Sequence, residues 1–142
     1  MLNRLDLKLT LADKINIKIL GGICMTIGEV SEKYGITTDT LRYYERIGLI
    51  PPVPRKRNGI RDYDEKACGW VSLVKCMRSA GVQIEPLIEY VALVQANTGL
   101  ERRKNILLEQ REKLLTQAEQ LRSTIELLNY KIEHYTEMIP KK

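Results

Sequence analysis

The last third of the chain constrains its fold most. Residues 100–139 contain neither glycine nor proline, the two residues least compatible with a helix interior. Within that stretch Ala118, Leu121, Ile125, Leu128, Ile132, Tyr135 and Ile139 follow one another at alternating spacings of three and four. Extending the register backward adds Leu114, Arg111 and Leu107. A 3.5-residue repeat with charges between its apolar positions predicts a coiled-coil helix. A helix of about 40 residues is about 60 Å long, more than a domain made from the preceding residues can cover. The stripe therefore needs a second chain, and a homodimer joined along this helix is expected.

Shorter helices, punctuated by glycine, are expected before it. Thr26 is placed to cap a helix with Glu29 at its third position, a capping-box pattern. Ile27, Val30 and Tyr34 form the apolar face, and Gly35 ends the helix. Thr37 or Thr38 caps the next, with Leu41, Tyr44 and Ile47 inward and Gly48 as the stop. Two short helices around such a turn suggest a helix-turn-helix. Pro51, Pro52 and Pro54 then forbid helix. Asn58-Gly59 signals a hairpin turn, and Arg55, Lys56, Arg57 and Arg61 around it make a basic two-stranded wing. Asp64 caps a third helix running to about Ala80, with Trp70, Leu73, Val74 and Met77 inward and Gly81 ending it. A fourth helix, residues 84–96, stops at Asn97-Thr98-Gly99.

The expected fold class is thus all-α with a small β wing: a winged helix-turn-helix followed by a long coiled-coil dimerisation helix. The expected division is an extension over residues 1–24, a DNA-binding domain over 25–94, and the dimerisation helix with a short tail over 95–142.

Composition removes several functional classes. The net charge of +5 over 142 residues permits an anionic partner without demanding one. No apolar run approaches the roughly 20 residues of a membrane span. The cysteines, Cys24, Cys68 and Cys76, are odd in number and lack C-x-x-C spacing, which argues against a disulfide framework or a structural zinc site and for a reducing cytoplasm. His134 is the only histidine, so a Ser-His-Asp or Cys-His pair has little raw material. No enzyme activity, metal or cofactor is expected.

The segment IGEVSEKYGITTDTLRYYERIGLIPPVPRKRNGIRDYDE resembles the DNA-binding domain of the MerR family of bacterial transcription regulators. The words that carry the resemblance are TLRYYERIGLI at residues 40–50 and the later Gly59, Arg61 and Tyr63. The resemblance implies a homodimer, paired antiparallel along the long helix, on double-stranded promoter DNA with an inverted repeat. The dimer bends and untwists an overlong promoter spacer so that RNA polymerase meets both elements in phase, work done through DNA deformability. Thr37, Thr38, Arg42 and Tyr43 are expected to face the groove, since arginine can chelate guanine and a tyrosine hydroxyl can donate to phosphate. Arg55, Lys56, Arg57 and Arg61 are expected to neutralise backbone charge, and Tyr63 to add a phosphate hydrogen bond. Tyr44 is expected in the core and Glu45 in a local ion pair.

Metal-sensing members of the family carry ligand cysteines at the end of the dimer helix, where this chain has MIPKK. Drug-sensing members carry a separate ligand domain, which is not expected after the coil here. The stretch CMRSAGVQIEPLIEY is similar instead to the thiol- and aldehyde-stress branch, which governs alcohol dehydrogenase and nitrosative-defence genes. That similarity implies Cys76 as the effector-sensing thiol. A thiolate attacks electrophiles or is nitrosylated or oxidised, and Lys75 and Arg78 are sequence neighbours that could favour it. The alternative is a regulator answering another small molecule or partner, with Cys76 a small apolar residue.

Residues 1–24 have no counterpart in that pattern. They are expected to be either a poorly ordered extension or a conceptual translation of the gene's own promoter ahead of a start at Met25. Gly21-Gly22 permits ribosome-binding codons, and residues 7–11 permit an inverted repeat.

Overall fold

A computed structural model of the chain describes residues 24–141. Of the expected N-terminal extension only Cys24 lies within them, and it is exposed. Among the described residues the helices are, in order, α1 (Ile27–Tyr34), α2 (Thr38–Arg46), α3 (Glu65–Ser79), α4 (Ile84–Gln95) and α5 (Leu100–Met138). The described residues divide into two compact units, one ending at Leu100 and the other beginning at Glu101.

In the first unit the helix starts follow side-chain chemistry. Thr26, Thr37 and Asp64 each accept the backbone N–H three residues on, from Glu29, Thr40 and Ala67. Each bond satisfies one of the donors that a helix start leaves without an internal partner. Gly35 ends α1 in the left-handed conformation, φ 65°, and its N–H donates to Ser31 O at 2.9 Å. That φ strains any residue with a Cβ, and it reverses the chain within two residues so that α2 packs back on α1. Val30, Leu41, Leu49, Ile50, Val71 and Val74 are all 1% exposed or less and form the core. Burial of a side chain such as Leu41 contributes about 1.5–3 kcal/mol.

The expected two-stranded wing is reduced to one antiparallel bridge, Arg55 to Arg61. Lys56 N–H donates to Ile60 O at 2.9 Å and Asp62 N–H to Pro54 O at 2.7 Å. Pro52 and Pro54 have no N–H, so the ladder cannot extend toward residue 51. Gly59 N–H donates to Lys56 O at 2.9 Å, which puts Arg57 and Asn58 at the centre of the turn. Gly59 follows them at φ 83°, the left-handed position of a three-residue hairpin loop.

The inward face of α3 is also shifted. Ala67, Cys68, Val71 and Val74 are buried, while Trp70, Leu73 and Met77 are half-buried. Trp70 turns toward α4, where its ring meets Tyr90 edge-on with centroids 6.2 Å apart.

In the second unit α5 is one uninterrupted helix of 39 residues. Arg111 and Leu107 are exposed, whereas Ile106 and Gln110 are buried. Positions 106 and 110 share a stripe turned about 100° from 107 and 111, one residue's rotation on a helix. From residue 115 to 141 every side chain is exposed, including Leu121, Ile125, Leu128, Ile132, Tyr135 and Ile139.

Candidate nucleic-acid interface

Helix α2 turns Leu41 into the core and presents Asp39, Arg42, Tyr43 and Arg46 to solvent. The polar groups on that face are already ordered among themselves. Arg42 donates through Nη1 to Asp39 Oδ1 at 3.1 Å and to Thr38 Oγ1 at 3.5 Å. The Arg46 guanidinium lies over the Tyr43 ring, 5.2 Å from its centroid, a cation–π contact. Tyr43 is 41% exposed, so much of the side chain stays open to solvent beside Arg46. Thr38 is half-buried beneath Arg42. Thr37 is exposed but committed to capping: its Oγ1 lies 2.7 Å from Thr40 Oγ1 and accepts Thr40 N–H at 3.2 Å.

In the wing Arg55, Lys56 and Arg57 are exposed. Arg55 Nη1 donates to Gly59 O at 2.8 Å, bracing the turn while its charge stays at the surface. Arg61 differs. It is half-buried, and its Nε donates to Glu45 Oε1 at 2.7 Å. Glu45 Oε2 also accepts Val53 N–H at 2.6 Å. The expected local ion pair of Glu45 is therefore present, and it ties α2 to the wing.

The phosphate contact expected of Tyr63 is corrected. Its side chain is fully buried, and its hydroxyl has no hydrogen-bond partner. Burial pushes its phenol up, against the opposing effect of the Arg61 charge. The charges of Arg61 and Arg42 lower this phenol and that of Glu45 raises it, all more weakly than burial does. Tyr44, expected in the core, is half-buried.

The three thiols occupy different settings. Cys68 is buried, and its Sγ lies 3.8 Å from Tyr63 O and 3.9 Å from Met25 Sδ. Burial pushes its thiol up. A hydrogen bond with the Asp62 side chain, ahead of any other cause, pushes the Cys24 thiol up. Cys76 is exposed near the C-terminal end of α3. Arg78 Nη1 is engaged by Val82 O at 2.7 Å, while Lys75 is exposed.

Arg46 is the residue that sequence reasoning passed over. It lies four residues after Arg42 and three after Tyr43, the spacings that put side chains on one helical face, and that spacing was the available signal.

Comparisons with known proteins bear on this arrangement. Residues 26–63 match the description "MerR family regulatory protein". The HTH-type transcriptional regulator AdhR of Bacillus subtilis (strain 168) is 53% identical over 92 residues, 64% of this chain. That match spans 66% of AdhR, just under two thirds of its length. A MerR family transcriptional regulator from Listeria monocytogenes superposes with a TM-score of 0.75 at 39% identity, covering 79% of this chain and 86% of that one. HiNmlR, a MerR family regulator lacking the sensor domain and solved bound to promoter DNA, gives a TM-score of 0.74 at 28% identity, covering 81% and 92%.

Proposed function

This chain belongs to the MerR family of DNA-binding transcription regulators, in the branch of AdhR and NmlR, and from that premise we propose a thiol-switched regulator of promoter geometry. Residues 25–94 are its DNA-binding domain. α2 enters the major groove, with Arg42 and Tyr43 as principal contacts, Arg46 beside them, and Thr37 and Thr38 at the helix start. Arg55, Lys56 and Arg57 of the wing neutralise flanking phosphates. Residues 95–142 join two copies, which spans an inverted repeat and lets the pair bend an overlong spacer for RNA polymerase. The observation that carries this reading is the outward face of α2, where Arg42, Tyr43 and Arg46 sit exposed above a buried Leu41. A recognition helix needs that division between a buried back and a polar front.

Cys76 is the proposed sensor of aldehyde or nitrosative stress. Its support is exposure on α3, whereas Cys68 on the same helix is buried. With an aldehyde the Sγ adds to the carbonyl carbon and the carbonyl oxygen takes up the thiol proton, giving a hemithioacetal without an oxidant. Only a thiolate is nucleophilic enough to begin that step.

The test is a promoter reporter in cells given sublethal formaldehyde, methylglyoxal or a nitric-oxide donor. Wild type should induce, and Cys76→Ala should bind the promoter and stay silent. Equal responses place the signal elsewhere. In a footprint, Arg42→Ala should lose operator preference, and an unchanged footprint removes Arg42 from its role.

A further inference from the structure

We propose that Glu45 is a positioning residue that sets the angle between the recognition helix and the wing, with Arg61 as its internal partner rather than a phosphate contact. The inference rests on the reading that α2 and the wing bind DNA together.

One carboxylate holds both arms of the wing. Oε2 accepts Val53 N–H at 2.6 Å, on the arm that leads into the hairpin. Oε1 accepts Arg61 Nε at 2.7 Å, on the arm that returns. The hairpin between them has one bridge, and its leading arm carries Pro52 and Pro54, which offer no N–H to a neighbouring strand. A hairpin so thinly paired has little of its own to fix its direction. Charge-assisted bonds to a single side chain on α2 supply that constraint. The Glu45 and Arg61 side chains are only 13% and 21% exposed, so solvent screens the pair weakly. The basic residues that reach outward, Arg55, Lys56 and Arg57, lie between the two anchor points in the chain.

Electrostatics makes the test sharp. A carboxylate near a DNA-facing surface repels phosphate, so a bystander Glu45 would weaken binding, and removing its charge would tighten it. A positioning Glu45 gives the opposite sign. Arg61→Lys separates the roles again, because lysine keeps the charge for a phosphate but not the planar Nε–H that meets Glu45.

The experiment uses the full chain and a duplex selected from random sequence by the wild-type chain. Affinity is measured across a salt series, with hydroxyl-radical footprints and thermal melts of each free variant. Glu45→Gln should weaken binding about tenfold, on the scale of one hydrogen bond to a charged group. It should erase protection at the outer, wing-contacted phosphates and leave protection at the α2 contacts. Arg61→Lys should do the same, and the double variant should lose no more than either single. Tighter or unchanged binding by Glu45→Gln overturns the proposal. So does an Arg61→Lys variant that binds like wild type, or an Arg61→Gln variant whose salt slope falls by about one phosphate while its loss adds to that of Glu45→Gln. If Glu45→Gln does not fold, Glu45→Asp keeps the charge but shortens the reach, and the same selective loss is expected of it. A wild-type chain that selects no duplex fails the DNA reading itself, and that failure is visible before any variant is made.

Discussion

The main chains of Met25 and Tyr63 clasp one another. Met25 N–H donates to Tyr63 O at 2.9 Å, and Tyr63 N–H donates to Met25 O at 2.9 Å. The bridge pins the residue before the Thr26 cap to the end of the wing. A chain that starts at Met25 keeps this clasp, because a terminal amine still donates. Removing residues 1–24 should therefore leave the melting temperature of the first unit nearly unchanged. Removing residues 1–26 takes away two hydrogen bonds, about 1 kcal/mol each, and the Thr26 cap, about 1 kcal/mol more. Calorimetry of the three chains checks this. Equal destabilisation by both truncations would sink the assignment of the Met25–Tyr63 clasp as a stabilising tie.

Tyr63→Phe should be neutral to stabilising. The hydroxyl is buried without a partner, and a buried polar group left unpaired costs about 1–3 kcal/mol. The variant should also bind DNA like wild type, since the hydroxyl does not reach the surface. It should change the pH profile as well. Burial raises both the Tyr63 phenol and the Cys68 thiol. The unfolded chain then releases these protons at lower pH than the folded one, so the folded state binds more protons in the alkaline range. Stability is full below the ordinary thiol value of 9.0 and falls as pH rises through the raised values. Denaturant titrations between neutral and alkaline pH should show that fall, flatter in Tyr63→Phe and flatter still with Cys68→Ala added. A stability that rises with pH over this range would contradict it.

Local chemistry made much of the fold legible. Thr26, Thr37 and Asp64 cap where their short oxygen-bearing side chains precede apolar runs, and Gly35 stops α1 where a left-handed residue is needed. These signals act within four residues and depend little on the rest of the chain. Tyr63 was misjudged because burial is a tertiary property: its spacing from Arg61 is the same whether the ring faces phosphate or core. Ile106 is buried and Leu107 exposed for the same kind of reason: the two are equally apolar, and only packing chooses between them. Glu45 was partly legible. An acid among basic residues implied an ion pair, but not that it would hold Val53 and Arg61 together.

Thr37 and Thr38 should separate under mutation. Thr37 Oγ1 caps α2 through Thr40 N–H, so Thr37→Ala should cost about 1 kcal/mol. Thr37→Asp can still accept that N–H and suits the helix N-terminus, so it should restore stability while placing a negative charge where DNA would approach. Thr38 caps nothing, and its Oγ1 meets Arg42 Nη1 at 3.5 Å. Thr38→Ala should leave stability within about 0.5 kcal/mol and weaken binding through Arg42. The check is a thermal melt paired with a gel-shift titration for each variant. A Thr37→Asp chain that is stable and binds like wild type would place the start of α2 away from phosphate.

The stripe on α5 yields the sharpest contrast, between adjacent leucines. Leu127 is 59% exposed and Leu128 55% exposed in a single chain, so burial in the monomer cannot tell them apart. Only Leu128 belongs to the series Leu121, Ile125, Leu128, Ile132, Tyr135 and Ile139. If that series is the seam between two copies, Leu128→Glu forces a charge into an apolar interface, where an unpaired buried charge is strongly destabilising. Leu127→Glu puts the same charge in water. Sedimentation equilibrium should give a mass near twice 16.4 kDa for wild type and Leu127→Glu, and a concentration-dependent fall toward 16.4 kDa for Leu128→Glu. DNA affinity should fall with it, because two half-sites held by one dimer become two independent and weaker contacts. Dissociation by Leu127→Glu with Leu128→Glu intact would put the seam on a different stripe. A monomeric wild type would leave the exposed leucines of α5 without the partner assigned to them.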